Sequence, residues 1–354
     1  MPRHSVNKRP QQNDILTPRE RFGLLVIDEK PDRCNVIPLI TSHAAQVANV
    51  SLKKYYTSGK AMARAQIIAL EHYQHDAINL FSEVGIIAEA MGSIFDYPED
   101  DLPVLKTPVL TQRSLAAIKQ PDPLTAKRLP VYIEAIEYAY NAIGDRIPIL
   151  AYVPAPFTTG MMLSDPEQFL IQTIKQPTII AEIMELSLNA AIEFCFHIIN
   201  AGGLPVIVDP LASSSVISPK AYEKFALPYE RKLIDFLHRY DLDIILHICG
   251  ETEPIIDLIP LTNADLISID RVDLDLAINK LSDRMRIIGN FNTSDIAFSS
   301  AAEIRDKVRS MLALGKTSSK GYIAATGCEI PIRSPSENVR AFIKSAKENA
   351  WYWD

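Results

Sequence analysis

Eight short apolar runs, each followed by a stretch of helical periodicity, constrain this chain more than any other feature. They cover residues 36–39, 77–81, 147–153, 204–208, 243–246, 265–269, 285–288 and 321–325. Each is too continuously apolar to keep one face in water, which points to parallel strands covered on the outside by helices. Eight such units in 354 residues predict a (β/α)8 barrel, the TIM-barrel architecture, in place of an open doubly wound sheet. Between the second and third runs lies a long, less regular insertion, with an acidic turn at Tyr97-Pro98-Glu99-Asp100-Asp101, an extended stretch over 104–111 and a helix over 129–143.

Local signals place the helices. Thr17 is a good N-cap, Pro18 fits the first helical position and Glu20 stands where a capping box needs it. A helix is expected over 53–73. Residues 166–201 read as helical with a break near Pro177 and a stop at Gly202-Gly203. Another helix starts at Ser218-Pro219 and runs towards Tyr240 past a break at Pro228. Residues 1–15 read as a flexible N-terminal tail, and 16–354 as one barrel domain. Trp351, Tyr352 and Trp353 form an aromatic end that packs on the barrel or makes a contact between copies.

The polar residues fall in a telling place. His43, Glu83, Asp209, His247, Cys249, Asp270, Asn290 and Cys328 all lie just past the C-terminal ends of the predicted strands, where barrels of this kind build their active sites. His247 and Cys249 are two apart on an extended run, so they face the same way. Cys328 follows the eighth run and opens onto the same mouth. One imidazole and two thiolates with a position left open make a catalytic zinc set, with His247, Cys249 and Cys328 as ligands.

Composition narrows the partners. A net charge of −7 argues against nucleic acid. Four scattered cysteines do not make a disulfide framework, and metal chemistry in a reducing compartment suits them better. No apolar stretch is long enough to span a membrane, and no apolar core follows the charged start, so a cytoplasmic location is expected.

The stretches LTPRERF at Leu16, LFSEVGIIAEAMG from Leu80, DPLASSSVISPKAYEKFALPY from Asp209 and IIGNFNTS from Ile287 resemble the uroporphyrinogen decarboxylase superfamily over almost the full length. The resemblance implies the same barrel. Within it, His247-x-Cys249 with Cys328 looks like the zinc motif of the cobalamin-linked methyltransferases. The decarboxylases carry an N-terminal arginine-rich stretch, whereas residues 40–53 here hold no arginine. Where they carry a catalytic aspartate, this chain has Phe81-Ser82-Glu83.

The resemblance therefore implies Zn2+, a corrinoid (cobalamin) on a separate carrier protein, and methyl transfer to or from a small molecule. The loop 327–331 resembles the O-demethylase type, so a methoxylated substrate, aromatic compounds included, is the first expectation. The alternatives are a thiol acceptor of the coenzyme M type and a metal-free decarboxylase. Glu83 is expected as a fourth zinc ligand or a substrate-orienting group, and Asp209 and Asn290 as hydrogen-bonding groups at the rim. Glu329 reads as a loop acid or a support for the ligands. His43 reads as a rim residue or a structural histidine.

Overall fold

The computed structural model describes residues 14–352. Its eight parallel strands are β1 (Asn35–Val36), β2 (Ile78–Leu80), β3 (Ile149–Pro154), β4 (Leu204–Val208), β5 (Ile245–Glu251), β6 (Leu266–Arg271), β7 (Arg286–Phe291) and β8 (Tyr322–Thr326). They pair in the order β1-β8-β7-β6-β5-β4-β3-β2, with helices between them, and each coincides with one of the eight apolar runs. This is the (β/α)8 barrel. Of the predicted tail, 1–13 lie outside the described residues, as does Trp353. Among the described residues no helix is long and apolar enough to cross a membrane.

Alternation along each strand divides the core in two. Leu150, Tyr152, Val206, Val208, Ile245, Leu266, Ile288 and Ile323 fill the barrel. Their neighbours Ala151, Val153, Ile207, Leu246, Ile267 and Ile287 face the helices. The first helix, Pro18–Val26, carries the predicted capping box between Thr17 and Glu20. Its Phe22 and Leu25 join the barrel-filling cluster, so this helix plugs the N-terminal end of the ring. Tyr352 packs against the outer, helix-facing cluster, under the Lys30 ammonium at 4.7 Å from its ring centre, while Trp351 bridges to Arg33.

Two helical expectations change in detail. The single helix over 53–73 is two, Leu52–Thr57 and Gly59–Tyr73, because Ser58 leaves the helical conformation and caps the second through Ala61 N–H. The break at Pro228 is absorbed earlier, by a widened π-type turn over Tyr222–Ala226. The insertion after β2 forms a helix (Ile86–Ala90), an antiparallel hairpin (Ile94–Asp96 with Val104–Thr107) and the helix Leu129–Ile143.

Among the described residues no strand ladder joins β1 to β2, and side chains close that seam. Asp76 donates its N–H to Val36 O at 2.9 Å, and its carboxylate accepts Val36 N–H at 2.7 Å. Asn79 Nδ2 donates to Pro38 O at 2.9 Å. Asp76 is fully buried and pairs with the equally buried Arg33 at 2.6 Å. Arg33 also holds Asp14 at 2.7 Å, and Arg21 holds Asp32 at 2.6 Å. Burial works against ionisation of Asp76, but Arg33, with Lys347 and Arg21, outweighs it and holds the carboxyl below its ordinary value. Asp14 is drawn down to about 2 by Arg33 against the same burial cost.

Breaking a buried pair of this kind costs about 3–5 kcal/mol, because one charge is left unpaired. Asp76→Ala is expected to lower the free energy of unfolding by that order, read as a fall in the urea midpoint. Carboxyls held low contribute stability above their unfolded pKa, and it is lost as pH falls through the folded one. The wild-type midpoint should therefore drop between pH 5 and about pH 2, and Asp76→Ala should drop less. An equal drop in both would remove Asp76 from the pH response.

Candidate metal centre

Strand β5 delivers His247 and Cys249 to the C-terminal mouth, and the loop after β8 delivers Cys328. A histidine nitrogen and the two sulfurs lie within 4.8 Å of one another. Among the described residues no other group of three or more His, Cys, Asp or Glu side chains converges this way. His247 is buried, while both cysteines are partly exposed, so the cluster has a closed back and an accessible front.

The local backbone aims these groups. His247 stands opposite Ser268 on β6, and His247 Nδ1 hydrogen-bonds with Ser268 Oγ at 2.9 Å. That fixes the ring and leaves Nε2 as the free ligand nitrogen, the usual way a protein orients a metal-binding imidazole. Beyond it the β5–β6 register slips. Ile248 faces Ile269 and Glu251 faces Arg271, so Cys249 and Gly250 together oppose Asp270 alone. This is a β-bulge, a device that re-aims side chains beside active sites.

The two thiols interact directly. The hydrogen bond from Cys328 lowers the Cys249 thiol below its ordinary value, against the cost of burial. The same bond, with burial, pushes Cys328 well up, against the opposing pull of His247. A soft or borderline divalent ion would take the place of the shared proton, so the donor set fits such an ion.

Several neighbours escaped notice in the sequence. The Thr41 hydroxyl donates to Glu329, whose carboxyl is pushed up by burial and pulled back by Thr41 and His247. Glu329 is thus a held group facing the centre and not a solvated loop acid. Tyr152, buried in the barrel, stands within electrostatic reach of both Glu329 and Cys328 and donates to Asn79 Oδ1 at 3.0 Å. Ser268 did leave a trace: it is the polar residue in the apolar run 265–269.

The other sequence-predicted residues are not part of the convergent set. The Glu83 carboxylate is engaged by Arg128 and Gly85 N–H. Arg128 in turn holds Glu89 at 2.8 Å and Ser82 Oγ at 2.6 Å and stacks on Tyr97, which clamps the insertion to the end of β2. Asp209 is fully buried. It accepts from Thr158 N–H at 2.9 Å and Thr158 Oγ1 at 2.6 Å. Burial pushes its carboxyl up, against its bonds to Thr158, and the neighbouring buried Glu230 carboxyl is raised with it. Asn290 gives its amide hydrogens to Asp270 O at 3.0 Å and Val272 O at 2.7 Å. His43 is buried with both nitrogens used, Nδ1 with Ile332 O at 2.8 Å and Nε2 with Tyr73 OH at 2.9 Å, so it pins the loop that carries Cys328.

The family described as uroporphyrinogen decarboxylase (URO-D) matches residues 17–349. A methylated-thiol–coenzyme M methyltransferase of Methanosarcina mazei is 25% identical over 346 residues, covering 94% of this chain and 90% of that protein. A methylcobamide:CoM methyltransferase of Methanosarcina barkeri is 26% identical and covers 83% of this chain and 86% of its own. A uroporphyrinogen decarboxylase of Microcystis aeruginosa is 24% identical, with 78% and 79% covered. A solved structure, a methyltransferase from Methanosarcina mazei, superposes with a TM-score of 0.86 at 22% identity, over 94% of this chain and 99% of that one; at that identity it speaks to the fold.

The thiol arrangement has a direct readout. In metal-free protein near neutral pH, Cys249 should be alkylated by iodoacetamide before Cys328, because only its thiol is lowered. Cys34 and Cys195, both closed off from solvent, should lag further behind for want of access. Peptide mass mapping after a short exposure reads the order, and Cys328 reacting first would contradict it.

Proposed function

The chain belongs to the uroporphyrinogen decarboxylase family, and from that premise we propose that it is a zinc-dependent methyltransferase. In this reading it moves a methyl group between the cobalt of a corrinoid, carried by a partner protein, and the sulfur of a small thiol. The observation that carries the reading is the convergence of His247, Cys249 and Cys328 within 4.8 Å at the barrel mouth. Three such ligands leave a fourth position open, as at catalytic zinc. The relatives named for methylated-thiol and methylcobamide chemistry support a thiol as the other substrate, in place of the methoxylated compound first expected. They also favour this reading over a metal-free decarboxylase, for which the imidazole and two thiols have no evident use.

Zinc held by the three ligands supplies Lewis acidity, which lets a thiol give up its proton near neutral pH. Ser268 keeps the His247 ring in place through Nδ1. Glu329, held by Thr41 and raised by burial, is the carboxylate this reading assigns to take the thiol proton. The sulfur then provides the electron pair for the new S–CH3 bond, and the pair of the broken Co–CH3 bond stays with the corrinoid.

The test is metal content beside activity. Purified wild type is expected to hold about one zinc per chain, and Cys328→Ser to hold little. With methylcobalamin and a simple thiol, wild type should consume the methyl-cobalt absorbance and Cys328→Ser should lose at least about two orders of magnitude in rate, the scale of a lost metal-supported step. Zinc-free wild type from zinc-supplied cultures, or equal rates in both proteins, would sink the reading.

A further inference from the structure

Cys249 sits on β5 and Cys328 just past β8, two strands that are not neighbours. In the ring order, β6 and β7 stand between β5 and β8, so no ladder fixes the distance from Cys249 to Cys328. A tetrahedral zinc with two sulfur ligands needs them about 3.8 Å apart, from Zn–S bonds of about 2.3 Å. Something other than sheet pairing must set that gap.

We propose that Asp270 is the positioning residue that sets the spacing of the two cysteine-bearing segments; the inference rests on the metal-centre reading above. Asp270 is the single residue opposite the Cys249-Gly250 bulge. The bulge takes the Gly250 N–H out of the ladder, and Asp270 Oδ2 accepts it at 2.8 Å. Gly250 has a φ of +83°, a backbone shape that favours glycine, so the turn presents its N–H to Asp270 at no steric cost.

The other loop leans on the same side chain. A Cβ on Gly327 would lie 2.5 Å from Asp270 Oδ1 and 2.9 Å from Asp270 Cα. Gly327 is therefore needed for close approach, and Cys328 follows it directly. The Gly327 N–H is tied to Phe291 O at 2.9 Å, which presses this contact shut. One carboxylate thus touches the residue after Cys249 and the residue before Cys328. The arrangement also accounts for Asn290. Its amide hydrogens go to Asp270 O and Val272 O, so it steadies the gauge from β7.

The experiment compares Asp270→Ala and Asp270→Asn with wild type, by zinc affinity against a chromophoric chelator and by the visible spectrum of the Co2+-loaded protein. Circular dichroism melts confirm that each variant is folded. Asp270→Asn keeps an oxygen for the Gly250 N–H and should stay near wild type in both readouts. Asp270→Ala should bind zinc about 10–100-fold more weakly, the scale for losing a group that supports metal ligands, with altered sulfur-to-cobalt bands. Should Asp270→Ala fail to fold, Gly327→Ala keeps the Asp270 carboxylate but forces it and the β8 loop apart, and should give the same weakening.

Unchanged affinity and spectrum in Asp270→Ala, or in Gly327→Ala when it stands in, would overturn the proposal. So would equal losses in Asp270→Ala and Asp270→Asn. Wild type that binds neither metal would mark a failure of the metal-centre reading itself, and the gauge would fall with it.

Discussion

A ring of strands is only as sound as its joint, and here the joint is a buried carboxylate. Asp76 does for β1 and β2 what a ladder does for the other seven pairs: it donates to Val36 O and accepts Val36 N–H. β1 is two residues long, too short to hold by pairing alone. The negative charge that makes the joint is tolerated in the interior because Arg33 meets it at 2.6 Å, and Arg33 is tied outward to Asp14. The consequences reach the other end of the barrel. The segment after β1 carries Thr41 and His43, which hold Glu329 and Ile332. A loosened seam would therefore be felt in the loop that bears Cys328.

The mouth shows how a barrel turns sequence distance into chemical proximity. His247 and Cys249 need only an extended strand and a bulge to face one way. Cys328 arrives from the opposite side of the fold's connectivity, and its loop is shaped by contacts with β1, β6 and β7. The centre is thus supported by strands that contribute no ligand. Ser268 orients the imidazole, and the three ligand atoms come within 4.8 Å of one another.

Much of this was legible in the residues. Parallel strands buried on both faces leave continuous apolar runs, so all eight could be placed, and the helix caps at Thr17 and Gly202-Gly203 are local chemistry. The metal-type side chains were legible because imidazole and thiols past strand ends are uncommon and two of them share a strand. The partners of Glu83 and Asp209 were not legible. Glu83 finds Arg128 across the insertion, and Asp209 finds Thr158 and Glu230 on other elements. No periodicity records such meetings, and a rim carboxylate bound to an arginine looks the same in one dimension as one that awaits a substrate. The break near Pro228 shifted for a related reason: a helix can take up a proline by widening an earlier turn.

The helix Pro18–Val26, whose Phe22 and Leu25 stop the floor of the barrel, has a consequence for traffic. A tube with its base sealed has one doorway. In the proposed reaction the bulky cobalt carrier and the small sulfur compound are both obliged to use it, so neither can be fed from behind while the other waits in front. The small partner must be seated first and stay put while the large one comes down over the opening, or else leave before the next arrival. The order of visits is then a property of the architecture, written by a plug at the far end from where the visitors meet.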